Sequence, residues 1–396
     1  MHLLFISENL LSLLCTLGIL QGVLFAALVL FHKKSDRSVN IYLALYILIT
    51  SGVMSVPLLI NLIGWQNSVL VVQIPLFSGP LLYLYLRSYK EKITWKKIIP
   101  HLVPILFYTG LTWWNLDRFS TQFPDRRDLP PPEVLTHPLT IFITFSKPVQ
   151  QIIYYILARN TLNSYQRSIR HLFSETSRID LHWTRFLING YLILVCSFIV
   201  LYPLMLRDAE NFGTYLLINM CIATPYIYMA TYKGVMQPSI WQVQPDVAKE
   251  KMQEEIQQAE AIDTTSNEKK PKPAVNDEKI SPLVEKITAL MEKDKLYQDP
   301  DLTLRQLAER LDAPVYQVSQ ALNDGMQKNF YDLVNGYRVE EAQRLLLNPN
   351  NINFTILSIG FEAGFNSKTT FNTVFKKFTG LTPTAYREQH LIAEPA

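Results

Sequence analysis

A chain of 396 residues has room for two or three domains. Lys and Arg outnumber Asp and Glu only 37 to 34, so the chain as a whole is neither polybasic nor acidic. Hydrophobic residues make up 48% and the mean hydropathy is +0.09, yet the last third reads as water-soluble, so the apolar residues must be concentrated earlier. Cys15, Cys196 and Cys221 lie inside apolar runs with no CxxC or Cys/His spacing, which argues against a disulfide framework or zinc site and for small packing residues.

Seven runs before residue 235 are apolar and about long enough to cross a bilayer, which needs roughly 17–25 helical residues. They are Leu10–Phe31, Ile41–Ile63, Val69–Leu86, Ile98–Asn115, Leu139–Leu157, Phe186–Leu206 and Thr214–Tyr232. The fourth is short and carries Pro100 and Pro104; other runs contain Pro57, Pro75, Pro80, Pro148, Pro203 and Pro225. Interior prolines count against soluble helices, but membrane helices tolerate them where neighbours satisfy the freed carbonyls. The first run has no positive charge ahead of it and no small-residue cleavage site behind it, so it reads as a span rather than a signal peptide. Alternate loops hold 14 Lys/Arg on one side (among them Lys33, Lys90, Arg167 and Lys233) against 4 on the other (Arg118, Arg126, Arg127 and Arg207). The positive-inside rule then puts the N-terminus outside and the last third in the cytoplasm. Trp113 and Trp114 fit an interfacial aromatic belt.

Lys147 falls near the middle of the fifth run, followed by Pro148, Gln150, Gln151 and Tyr154. A charge at that depth costs about 2.5–3.5 kcal/mol. Two readings stand: Lys147, Gln150, Gln151 and Tyr154 line a pocket for an anionic ligand group, or Lys147 pairs internally or snorkels.

After Tyr232 the composition changes abruptly. Pro245–Ile262 is charged, with a loose apolar stripe too short for a secure coiled coil. Asp263–Lys279 (DTTSNEKKPKPAVNDEK) reads as a flexible linker. From Ser281 the pattern becomes amphipathic and helical: Pro282–Lys293, Leu302–Leu311 with Thr303 as N-cap, Val315–Met326, Phe330–Leu347 and Thr355–Ala363, then a basic helix beyond Gly364. Val315–Met326 turns Val318, Ala321 and Leu322 inward and Tyr316, Gln317, Ser319, Gln320 and Asn323 outward. The last helix turns Phe371, Val374, Phe375 and Phe378 inward and Lys368, Thr369, Asn372, Thr373, Lys376 and Lys377 outward. Two helix-turn-helix units therefore flank one helix of about 27 Å, a spacing suited to successive major grooves about 34 Å apart.

These residues resemble the AraC/XylS family of bacterial transcription regulators over Ser281 to about Gln389. The resemblance rests on Ala363, Gly364, Phe365, Ser367, Phe371, Phe375, Lys376, Gly380, Thr382, Pro383, Tyr386 and Arg387, supported by LRQLAERL, NFYDLVNGYRVEEAQRLL and FTILSIGFEAGF. It implies bipartite, sequence-specific binding of double-stranded DNA in the major groove and a contact with RNA polymerase. By position the base-facing candidates are Tyr316, Ser319, Gln320 and Asn323 in the first unit, and Lys368, Thr369, Asn372 and Thr373 in the second. Lys376 and Arg387 are phosphate contacts. Gly360 replaces a common alanine, and Thr373 stands where arginine is frequent. Residues 281–396 hold 12 Lys/Arg and 14 Asp/Glu, so attraction to DNA must come from local patches.

The chain is thus read as all-α: a seven-span transmembrane sensor domain (1–236), a charged linker (237–280) and an AraC-type DNA-binding domain (281–390). It is expected to be a non-enzymatic, multi-pass regulator in the bacterial inner membrane, without metal or cofactor. Its expected partners are DNA, membrane lipid and an unknown small ligand or membrane protein, with homodimerisation left open. The alternative is a receptor or transporter-like protein whose tail is a regulatory or interaction scaffold.

Overall fold

The structure is a computed structural model that describes residues 2–31, 36–55, 59, 63–64, 67, 70–120, 122, 131–177, 179–208, 212–236 and 277–392. Pro245–Ile262 and nearly all of the linker Asp263–Lys279 lie outside these residues. The described residues are helical, without a strand; one isolated antiparallel bridge joins Phe173 to Thr303. The chain divides into two compact units, one of residues 1–163 and 181–249, the other of 164–180 and 250–396.

In the first unit, α1 (His2–Phe31) packs on α2 (Arg37–Val53), which Asp36 caps by accepting a hydrogen bond from Ser38 N at 3.0 Å. The run Val69–Leu86 does not form one long helix. Val71–Phe77 is a tight 3-10 segment containing Pro75, and α3 (Ser78–Arg87) starts only after it. By contrast α4 (Trp95–Ser120) continues through Pro100 and Pro104, so the two prolines do not break it. The helix α5 (Pro138–Leu172) extends 15 residues past the apolar run Leu139–Leu157. It is followed by α6 (Thr184–Arg207) and α7 (Phe212–Val235); α7 packs on α1 and on α6.

Among the described residues only α6 combines the length and hydropathy of a bilayer-crossing helix; Cys15–Phe31 and α2 are shorter apolar helices. Large apolar side chains nevertheless face outward in stripes: Leu20, Leu24 and Leu28 on α1, Ile99, Val103 and Leu106 on α4, Val149, Ile153 and Ile156 on α5. Asn40, Thr50, Gln73, Asn115, Gln150 and Gln151 are buried. Cys15 packs inside and donates to Met54 O at 2.7 Å, but Cys196 and Cys221 are exposed, so only one of the three cysteines packs as expected.

The second unit begins with α8 (Asp277–Glu292) and the turn Leu296–Gln298. A capping box sets the start of α9 (Leu304–Arg310): Gln306 N donates to Thr303 Oγ1 at 3.2 Å while Thr303 N donates to Gln306 Oε1 at 2.7 Å. The next helix, α10 (Val315–Gln320), widens into a π-turn over Ala321–Gly325 instead of running on to Met326 as a regular helix. Asn329 caps α11 (Phe330–Leu347), Thr355 caps α12 (Ile356–Glu362) and Ser367 caps α13 (Lys368–Thr379); α14 (Pro383–Ile392) follows. Val339, Ala342, Leu345 and Leu346 of α11 form a core with Ile359, Phe365, Phe371, Val374 and Phe375. Burying each such side chain contributes about 1.5–3 kcal/mol. Phe378, expected on this face, is 42% exposed, because α13 ends at Gly380 one residue beyond Thr379 and its last turn projects past the core.

Candidate nucleic-acid interface

The turn between α12 and α13 is set by Gly364, whose φ of +98° favours glycine. A Cβ there would lie 2.5 Å from Tyr297 O, so the turn can approach Leu296–Gln298 only without a side chain. At Gly360 the Phe371 ring fills the space that an alanine methyl would need, with Cδ1 at 2.5 Å. The hydrogen at Gly360 is therefore used for packing rather than merely tolerated.

With α12 so placed, α13 presents Lys368, Thr369, Thr373 and Lys376 as exposed side chains and Asn372 as a half-buried one. Its buried side is Thr370, Phe371, Val374 and Phe375. Lys377 is less available than its neighbours: its ammonium lies 2.7 Å from Asp332 Oδ1 and over the Tyr331 and Phe378 rings. Arg387 departs from the expected phosphate contact. Its guanidinium donates to Phe354 O at 3.0 Å, Asn351 O at 3.2 Å and Ile352 O, closing the turn before α12. Asn351 O also accepts from Phe354 N at 2.9 Å, so the arginine braces an existing turn from α14.

On α10, Tyr316 is 57% exposed and accepts a hydrogen bond from Gln317 Nε2 at 3.0 Å. Gln320 and Asn323 are half-buried, and Gln320 Nε2 points to Asp324 Oδ2 at 3.4 Å. Ser319 is 6% exposed, which removes it from the base-facing set. The helix packs against both α8 and α9, so its covered arc is wider than the single apolar stripe the spacing suggests.

Two exposed reading helices are thus joined by α11, whose 18 residues span about 27 Å. Residues 307–389 match a family model described as a helix-turn-helix domain, of the AraC type. The chain therefore carries an AraC-type helix-turn-helix domain, which makes it a DNA-binding transcription regulator. No curated protein and no solved structure matches it.

Within the DNA-binding unit, one buried cation joins three separate segments. Arg338, in the middle of α11, has no exposed surface. Its Nε donates to Tyr297 O at 2.7 Å, its Nη2 to Asp299 O at 2.7 Å and Ser174 Oγ at 3.1 Å, and its Nη1 to Asn335 Oδ1 at 3.3 Å. Burial lowers its pKa to about 10, against the opposing pull of Glu175 and Asp299, so it remains charged at neutral pH. The periodicity carried a clue, because Arg338 stands four residues after Val334 and four before Ala342, on the apolar stripe.

Ser174 and Glu175 come from the segment between α5 and α6, which was expected to be a cytoplasmic loop of the first domain. Residues 164–180 are instead part of the DNA-binding unit. Ser174 is fully buried; its N and Oγ donate to Leu302 O at 3.3 and 2.7 Å, and its carbonyl accepts from Asn335 Nδ2 at 2.9 Å. Glu175 Oε1 accepts from Thr370 Oγ1 of α13 at 3.2 Å. No composition signal marks this docking; its donors and acceptors meet only in the fold.

In the first unit the expected ligand residues separate into two groups. Pro75 has no N–H, so Val72 O lacks its 3-10 partner and instead accepts from Lys147 Nζ at 3.3 Å. Pro80 likewise cannot serve Leu76 O, which accepts from Gln150 Nε2 at 3.3 Å. Gln151 Nε2 donates to Pro75 O at 2.9 Å, and its Oε1 accepts from Tyr191 OH. Lys147 and Gln151 line one cavity; Gln150 and Tyr154 do not, Tyr154 OH being 2.7 Å from His101 Nδ1. Among the described residues no cluster of His, Cys, Asp and Glu has the arrangement of a metal site.

Proposed function

We propose that this regulator is a non-enzymatic, one-component membrane sensor. Its first unit lies in the bacterial cytoplasmic membrane as seven spans with the N-terminus outside, and its DNA-binding unit faces the cytoplasm. The observation that carries the reading is the inverted polarity of the first unit, with Leu24, Val103, Leu106 and Ile153 exposed while Gln73, Asn115 and Gln151 are buried. Large contiguous apolar faces mark membrane or partner surfaces, and the three outward stripes lie on helices whose loops obey the positive-inside pattern. The short, proline-broken third span is sustained by Lys147, Gln150 and Gln151, which satisfy its freed carbonyls as a span in hydrocarbon requires.

A signal reaches DNA along two routes. One is the connection 237–280. The other is α5, whose last turns and following segment belong to the DNA-binding unit through Ser174, Asn335 and Arg338. Occupancy of the first unit biases this docking, and with it the presentation of α10 and α13 to a bipartite operator and to RNA polymerase.

Reporter fusions after residues 36, 66, 93, 122, 163, 208 and 236, with membrane fractionation and genome-wide footprinting of the intact protein, test the reading. Alternating fusion activity, recovery with the membrane and discrete two-part sites are expected. Recovery of the full chain in the soluble fraction would end the membrane reading and leave the DNA-binding assignment untouched.

A further inference from the structure

The first unit holds a partly open cavity of about 390 Å³, within the range of small-molecule sites. Its wall is largely apolar, with Val53, Met54, Val195, Leu201 and Met220 among its side chains. Two of the polar side chains on that wall, Lys147 and Asn115, are incompletely partnered. Lys147 Nζ makes one long hydrogen bond, 3.3 Å to Val72 O, whereas an ammonium can donate three. Among the described residues no Asp or Glu lines the cavity. Asn115, 1% exposed, donates from Nδ2 to Thr140 Oγ1 at 2.8 Å, but its buried Oδ1 has no partner. A packed core would not retain on one cavity wall both an ammonium with a single hydrogen bond and an orphaned amide oxygen.

We propose that this cavity binds an apolar organic monoanion, a single-chain carboxylate or a compact molecule of the same chemistry, with its anionic group on Lys147 Nζ. The apolar wall takes the body of the ligand. Lys147 supplies a charge-assisted hydrogen bond in surroundings that weaken solvent competition. Asn115 Oδ1 accepts from a hydroxyl or a water carried with the ligand. Because Lys147 also holds Val72 O, and Gln151 holds Pro75 O, the ligand reports directly on the proline-broken segment Val71–Phe77. The volume suits one short chain rather than a two-chain phospholipid. This deepens the sensor reading above, but its test needs no DNA, so failure of binding and failure of gene control are separable.

The experiment is equilibrium binding of radiolabelled dodecanoate and dodecanol to the full-length protein in phosphatidylcholine nanodiscs, corrected for empty discs. One saturable dodecanoate site per chain is expected, with dodecanol weaker by about tenfold or more. Lys147→Met should abolish the preference for the acid, and Lys147→Arg should keep it. Ala223→Trp, which leaves the Lys147–Val72 hydrogen bond intact and fills the cavity, should remove saturable binding of both ligands, and it decides the matter if Lys147→Met does not fold. Replacing a third of the lipid with phosphatidylglycerol should leave dodecanoate binding unchanged. Absence of a saturable component, equal affinity for acid and alcohol, an acid preference that survives Lys147→Met, saturable binding by Ala223→Trp, or displacement by phosphatidylglycerol would each overturn the proposal.

Discussion

The two helix-turn-helix units differ in the means they bring to DNA. α13 is 12 residues long, capped at both ends, and exposes Lys368, Thr369, Thr373 and Lys376 beside a three-phenylalanine anchor of Phe365, Phe371 and Phe375. α10 is six residues long, ends in a π-turn and exposes no cation; its reading face is Tyr316, Gln317 and Gln320. The first unit therefore supplies neutral hydrogen-bonding groups and an aromatic ring, while the second supplies most of the local charge. In a domain with more acids than bases, this division predicts that the second helix-turn-helix unit anchors and the first discriminates, since charge governs affinity and base contacts govern sequence.

The largest expected break in this arrangement comes from outside both reading helices. Arg338→Met leaves Tyr297 O, Asp299 O and Ser174 Oγ without their donor, and should cost about 3 kcal/mol or more of stability. It should show as a lower unfolding midpoint and loss of two-site footprints together; footprints retained at full affinity would refute the tie between the halves. Next comes Lys368→Ala, expected to weaken operator binding by about 1–3 kcal/mol and relax preference in one half-site. Gln320→Ala should cost about 1 kcal/mol, confined to the other half-site, because Gln320 is half-buried and engaged with Asp324. A change in the same half-site as Lys368→Ala would show that the two units do not divide the operator.

Two smaller tests sharpen the comparison. Lys376→Gln should reduce the slope of log affinity against log salt by about 0.9, the share of one phosphate contact. Arg387→Ala should leave the slope unchanged and lower stability by about 1 kcal/mol, since its donors serve Phe354 O and Asn351 O. Glu341 should add a weak pH dependence. Hydrogen bonds from Arg344 hold its carboxyl below the usual value of 4.5, with burial opposing and Lys295 assisting. A lowered carboxylate pKa stabilises the fold above the unfolded value and is lost as pH falls through the folded one. Acid unfolding below about pH 4.5 should therefore be shallower in Glu341→Gln, by about 1 kcal/mol or less given the exposed cations.

Much of the second unit was legible in the sequence. Thr303, Ser367 and Gly380 mark helix ends by chemistry that acts within four residues, and Phe371, Val374 and Phe375 mark a buried face by spacing. Failures appear where more than one neighbour covers a helix or where a backbone deficit recruits a side chain. Ser319 is buried because α10 has two packing partners. Arg387 is turned onto the turn after α11, whose carbonyls come within reach of α14 only in the fold. In the first unit, the apolar runs and the prolines were plain to read, but not which polar residue answers which proline: Pro75 recruits Lys147 and Pro80 recruits Gln150 from a helix about 70 residues away in sequence.

By itself the sequence determined the segregation of the chain into an apolar part and a helix-turn-helix part, the helical elements of the latter and the buried face of α13. These follow from composition, period and capping, which are properties of neighbours along the chain. Only the tertiary structure decided that residues 164–180 join the DNA-binding unit, that Arg338 ties its two halves, and that Lys147 shares a cavity with Asn115. Each depends on backbone carbonyls and side chains remote in sequence. Such groups have no partner until the fold brings one within hydrogen-bonding distance, and no periodicity records where that partner will be.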